Sequence, residues 1–225
     1  FNHIVAINAE TGQAIWTFDP QSYQAGRPPN HGFVHRGVAY WEKDNDKRIF
    51  VGTLDSFLYS IDACTGEVDL NFNNGGKVNL LEGLGRAINN DHYGVNSPPL
   101  VCKDTVVVGS SVMDYPAQYL NATSMAPGDV RAYDAITGQL KWQFHVIPHE
   151  DEFGADTWKN NSYLEGAGVN VWSTFSCDEE LGMVYLPLTT PTNDHFGGDR
   201  LGDNLFAESV VALDIETGDR KWHFQ

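Results

Sequence analysis

Cations are scarce in this sequence. Its 225 residues hold 14 Lys and Arg against 30 Asp and Glu, for a formal net charge of −16. Such a field repels polyanions, so neither nucleic acid nor an anionic membrane surface is expected as a partner. Long hydrophobic runs are missing too. No stretch of 18 or more apolar residues occurs, which excludes a transmembrane helix from this sequence. Membrane attachment is therefore expected only through parts outside it. Cysteine is sparse: Cys64, Cys102 and Cys177 are far apart and form no C-x-x-C pair, so zinc-ribbon and dithiol redox motifs are unsupported. The three are expected to be unpaired thiols, buried or idle. Among the eight histidines, His145 and His149 lie four apart, but Pro148 argues against a helix that would align them, and zinc is not expected. Gly197-Gly198 has no strand-to-helix context and is no phosphate loop.

What the chain does have is a repeat. Ala6-Ile7-Asn8-Ala9-Glu10-Thr11-Gly12 is followed by Trp16. Ser60-Ile61-Asp62-Ala63-Cys64-Thr65-Gly66 is followed by Phe72. Ala132 to Gly138 leads to Trp142, and Ala212 to Gly218 leads to Trp222. Self-similarity of this kind marks a repeated supersecondary unit. A short alternating apolar run leads into each copy and reads as a strand. Asp or Asn opens a turn with its own side chain, and Gly supplies the positive φ that closes it. Each copy is thus a strand–turn–strand hairpin ending in a large ring, with Trp16, Trp142 and Trp222 expected to be buried between sheets. Radially arranged four-stranded antiparallel sheets satisfy this pattern, giving an all-β fold with little helix. The copies are unevenly spaced, so long loops are expected between strands, over 112–128, 145–167 and 189–206. Long loops on a rigid β scaffold commonly carry function.

Several segments between the repeats add a resemblance. They are His35-Arg36-Gly37-Val38-Ala39-Tyr40-Trp41, Ser97-Pro98-Pro99-Leu100-Val101, Val108-Gly109-Ser110-Ser111, Val184-Tyr185-Leu186-Pro187 and Phe196-Gly197-Gly198-Asp199-Arg200. Together with the repeats, they resemble the quinoprotein dehydrogenases that bind pyrroloquinoline quinone (PQQ) on an eight-bladed β-propeller with tryptophan-docking repeats. The Tyr-Leu-Pro and Phe-Gly-Gly-Asp-Arg segments look most like the membrane-bound glucose, quinate and shikimate branch. The resemblance covers residues 1–225 and implies an incomplete propeller domain, roughly half of one. The chain opens on Phe1 within a strand pattern and stops at Gln225 just after a repeat aromatic, and so is expected to be an internal fragment.

The resemblance also assigns residues. PQQ is a flat tricarboxylate with two adjacent quinone carbonyls. Trp172 matches the tryptophan that stacks beneath it, and large flat rings favour such contacts. Arg36 matches the arginine set against it, a permanently charged fork suited to carboxylates. Ser111 and Asn96 match positions that hydrogen-bond its carboxylates, although relatives often have Thr where Asn96 stands. Asp114 falls where relatives place a carboxylate metal ligand. The second protein ligand, an Asn in alcohol-oxidising relatives, is Thr190 here, with Asn193 nearby. Calcium is the implied metal, with magnesium as the alternative. The general base is an Asp expected beyond Gln225, so no catalytic base is assigned within the chain.

The implied activity is PQQ-dependent oxidation of a sugar, polyol or other alcohol, with electrons passing to ubiquinone or a cytochrome, in the periplasm. The alternative is a non-catalytic propeller of the same repeats serving as an assembly scaffold. A scaffold has no chemical need for Arg36, Ser111, Asp114 and Trp172 together.

Overall fold

The computed structural model describes residues 1–28, 32–113 and 125–225. The turn chemistry of the repeat is met in all four copies. Asn8 Oδ1 accepts from the backbone N–H groups of Glu10 and Thr11, both at 2.9 Å. Asp62, Asp134 and Asp214 each do the same for the residues two and three positions on. Each turn is closed by the glycine N–H donating back to the carbonyl of the residue that opened it. Outside these turns, helix is limited to short 3-10 segments among the described residues.

The strands assemble as three four-stranded antiparallel sheets. The first holds β3 (Ala39–Lys43), β4 (Asp46–Gly52), β5 (Phe57–Asp62) and β6 (Lys77–Asn79) in that order. A two-residue ribbon joins β7 (Tyr93–Gly94) to β10 (Ser111–Val112). The second sheet runs β8 (Leu100–Cys102), β9 (Thr105–Val108), β11 (Val130–Asp134), β12 (Leu140–Phe144). The third runs β13 (Ser176–Asp178), β14 (Met183–Pro187), β15 (Val210–Asp214), β16 (Arg220–Phe224). A separate hairpin pairs β1 (Ile4–Ile7) with β2 (Ala14–Phe18). The first strands of successive sheets touch one another, β3 against β8 and β8 against β13. This places them together on the inner side, with the repeat hairpins outward, the arrangement of propeller blades.

Among the described residues, two large cores lie between the four-stranded sheets, and a smaller one of Val51, Tyr59 and Ile61 lies against Ile4 and Phe18 of the β1–β2 hairpin. Phe50, Leu58, Phe72, Val106, Val108 and Tyr133 fill the first. Val107, Trp142, Val184, Leu186 and Leu213 belong to the second. The run Val106-Val107-Val108 sends alternate side chains to opposite cores, as the strand period of two requires. That is why β9 is buried throughout rather than alternating.

The repeat aromatics connect neighbouring units. Trp142 lies on the turn of the next repeat, with Nε1 donating to Ile215 O at 2.8 Å. Gly218 there has φ +76, and a Cβ on it would come within 2.7 Å of the Trp142 ring, so glycine is needed for both backbone and contact. Trp16 makes the matching bond to Ala63 O at 3.1 Å. Phe72 docks against the turn at Gly138 but has no N–H to offer. Arg48 takes over that role: its Nη1 donates to Ala135 O at 3.0 Å and to Ile136 O at 2.9 Å. Arg48 is 7% exposed and its charge is matched by Asp46 at 2.6 Å and Asp69 at 2.8 Å.

Burial of all three tryptophans is corrected by the structure. Trp142 is buried, Trp16 is half-buried and Trp222 is exposed. Trp222 has no sheet packed over its ring among the described residues, whereas Trp142 has a neighbouring unit. The cysteine expectation is also corrected. Cys102 and Cys177 form a disulfide with a Cα–Cα separation of 6.2 Å, joining inner strands β8 and β13. Their wide separation in sequence concealed the pairing, because adjacency arises only from the radial packing of the sheets. Cys64 is an exposed free thiol, as expected of a repeat-turn residue.

Candidate functional site

Alternating strand direction decides where the loops meet. The first strand of a sheet begins, and its antiparallel second strand ends, at the same end of that sheet. Arg36 precedes β3, Asn96 precedes β8 and Trp172 precedes β13. Ser111 follows β9 and Thr190 follows β14. All five therefore belong to one end of the inner strands, although they are scattered along the chain.

Contacts tie them together. The Arg36 guanidinium lies 5.0 Å from the centroid of the Trp172 ring. Its Nη1 donates to Trp172 O at 3.3 Å, and its backbone N–H donates to Asn96 O at 3.0 Å. Ser97 Oγ donates to the same Trp172 carbonyl. Arg36 thus bridges three loops through charge, ring and backbone.

Its neighbour His35 holds it in place. His35 Nε2 lies 2.7 Å from Gly52 O, and Nδ1 accepts from Gly37 N at 3.2 Å. Burial pushes the imidazole pKa below its usual value, and the Arg36 charge pushes the same way against the Gly52 hydrogen bond. A neutral ring with the proton on Nε2 satisfies both bonds.

Beside Trp172 is a cavity of about 330 Å³. Ser111, Trp172 and Thr190 line it, together with Asn170 and Thr189. Trp172 is 38% exposed. Asn170 is locked: its Nδ2 donates to Ser110 O at 2.8 Å and its Oδ1 accepts from Thr189 Oγ1 at 2.6 Å. The Ser110 backbone N–H donates to Val171 O at 3.0 Å, bringing the β9 exit loop directly against the loop carrying Trp172. A Cβ at Gly109 would sit 2.2 Å from Val171 O, so only glycine admits this approach. Asp194 and Glu208 also line the cavity.

Asn96 is held differently from the others. It is 3% exposed, and its backbone carbonyl accepts the Arg36 N–H at 3.0 Å. It supports the loop under Arg36 rather than lining the cavity. Asp114 lies outside the described residues. Asn170, Thr189, Asp194, Glu208 and His35 were not singled out from sequence. Asn170 stands two residues before Trp172, but nothing in its local pattern distinguishes it from a strand residue.

Comparison with known proteins adds the family. The model described as "PQQ: Glucose/ethanol/alcohol dehydrogenase, beta-propeller domain" matches residues 1–225. The chain belongs to the PQQ-dependent dehydrogenase family. It is 32% identical to the glycerol dehydrogenase large subunit of Gluconobacter oxydans, over 100% of this chain and 30% of that protein. It is 30% identical to the quinate/shikimate dehydrogenase (quinone) of Acinetobacter baylyi, over 98% of this chain and 29% of that protein. The solved quinohemoprotein alcohol dehydrogenase of Comamonas testosteroni superposes with a TM-score of 0.80 at 30% identity, covering 99% of this chain and 32% of that one. The chain thus spans about a third of the length of these relatives. Their identities are so similar that they carry no preference for the quinate and shikimate branch over the alcohol and glycerol enzymes.

Proposed function

We propose that this chain is part of a longer PQQ-dependent dehydrogenase that oxidises a sugar, polyol or other alcohol, and that the Trp172 cavity is its cofactor site. One observation carries the reading: a tryptophan face, an arginine and a row of hydroxyl and amide groups meet at one end of the inner strands. That donor set fits the group. The Trp172 ring offers a flat apolar surface for a planar tricycle, adding roughly 0.5–1.5 kcal/mol beyond area burial. The Ser111 and Thr190 hydroxyls and the remaining Asn170 N–H offer neutral donors for carboxylates. Arg36 supplies positive charge in a strongly acidic protein. PQQ, when bound, supplies an electrophilic quinone carbonyl that takes up the hydride equivalent of an alcohol.

The remaining assignments follow the same proposal. Asp114 and Thr190 hold a hard cation, calcium or its alternative magnesium. Asp194 and Glu208, on the same cavity wall as Thr190, are further oxygen donors of the type such ions take. The proton acceptor for the substrate hydroxyl is an Asp following Gln225 in the longer protein. Electrons leave to ubiquinone or a cytochrome. The Cys102–Cys177 bridge supports a periplasmic location, because disulfides persist in oxidising compartments.

The test is reconstitution of the full-length protein with PQQ and calcium, followed by dye-linked oxidation of a panel of polyols, sugars and simple alcohols. Activity is expected only with both additions. Asp114→Asn is expected to raise the calcium requirement by about tenfold or more, because it removes a charge from a divalent-cation site. Failure to bind PQQ under any metal condition would reject the reading.

A further inference from the structure

A second cluster of chemistry-bearing side chains lies away from the cavity. It follows β12, the outer strand of the second sheet. Strand alternation brings the end of β12 to the same end of the sheet as the start of β8, so the cluster sits on the outer rim of the face that carries the Trp172 cavity. The segment after β12 turns back on itself instead of forming the helix that Pro148 argues against. Glu152 N donates to His149 O at 2.9 Å, and His149 N donates to Glu152 Oε2 at 2.8 Å. The other carboxylate oxygen, Oε1, meets His145 Nδ1 at 2.8 Å. The His145 and His149 rings stack with centroids 3.8 Å apart and planes 20° from parallel.

We propose that His145, His149 and Glu152 form a binding site for a divalent late transition metal, of which zinc is the representative. One ligand atom from each lies within 4.8 Å of the other two. Two imidazoles and a carboxylate are a donor set that suits zinc, nickel and copper, whereas calcium and magnesium prefer all-oxygen shells. The carboxylate is oriented in advance by a backbone N–H, which reduces what remains to be ordered on binding. An ion bonded to both rings must lie in the plane of each. His149, exposed and on the turn, tilts out of the stack to meet it while His145 stays anchored at the strand end. His145 and Glu152 also border a cavity of about 450 Å³ shared with Phe153, Phe206 and Arg220. That cavity gives room for water or a small anion to complete the shell.

The site is separate from the cofactor cavity in residues and in donor chemistry, so it stands or falls independently of the proposed PQQ function. The experiment is competition of the full-length, calcium-saturated protein with a chromophoric chelator for zinc. Calcium saturation keeps the hard-cation site from scoring. One zinc per protein is expected to resist the chelator beyond any bound by a His149→Ala, Glu152→Gln double variant. Each single variant is expected to bind at least about tenfold more weakly, since loss of one of three ligands removes a large share of the affinity. His149 and Glu152 are exposed, so an unchanged thermal melt confirms that the variants are folded. Zinc retained equally by the double variant, or no zinc retained by the parent protein, overturns the proposal.

Discussion

Replacing Cys102 and Cys177 together by alanine is expected to lower the unfolding free energy by about 4 kcal/mol. The two residues are 75 positions apart, and a cross-link closing a loop of that size restricts the unfolded chain by roughly this amount. The bridge also has a particular place in the fold. It joins β8 to β13, the inner strands of adjacent sheets. Cys102 is fully buried in the second core, so alanine rather than serine is the informative replacement; a serine hydroxyl there would add a desolvation cost of its own. Cys64, exposed and free, serves as the control, and Cys64→Ala is expected to leave stability unchanged. Denaturant titration of the full-length protein with and without reductant measures the effect, and peptide mapping under non-reducing conditions checks the linkage. Equal stability of the parent and the double variant with and without reductant, with Cys102 and Cys177 recovered as separate thiols, would contradict the structure.

Trp172→Ala is expected to weaken PQQ binding by well over tenfold while leaving the fold intact. The ring is 38% exposed beside the cavity, so its removal opens no void in either core. The loss has two sources: the apolar area a planar ligand would cover, and the stacking term of roughly 0.5–1.5 kcal/mol. About 1.4 kcal/mol is already a factor of ten. Arg36 also loses the ring beneath its guanidinium, although its bond to the residue 172 carbonyl survives the substitution. Trp172→Phe is therefore expected to recover much of the binding. Titration of PQQ, followed by its absorbance, separates these cases. A variant that binds PQQ as tightly as the parent would remove Trp172 from the cofactor site.

Much of this fold was legible because the repeat states its own physics. An Asp or Asn, a Thr and a Gly at fixed offsets make the turn, and the ring that follows packs on the next turn. What the repeat could not reveal was how each ring is covered. Trp222 carries the same pattern as Trp142, yet one is exposed and the other buried, because cover depends on a neighbour rather than on the residue. The substitution of an arginine for the missing indole N–H was equally invisible, since Arg48 lies on β4 and Phe72 in the turn before β6. Arg36 and Ser111 were assigned through the segments that contain them and Trp172 through its match to the resembled family, and alternation of strand direction explains why the three lie at one end of the inner strands. Asn170 and Thr189 escaped because their importance is mutual: each is locked by the other across loops that only the radial packing brings together. The disulfide escaped because sheet packing sets it, and the meeting of Glu152 with His145 and His149, a pair noted in the sequence but set aside, is made by a turn that no helical or strand period announces.

The most direct test of the central claim is a crystal structure of the full-length protein with PQQ. The account predicts the cofactor in the cavity beside Trp172, its plane against that ring, with Arg36 and the Ser111 hydroxyl at its polar edge. PQQ bound elsewhere on the propeller, or a Trp172 cavity left empty at saturating PQQ and calcium, would contradict it.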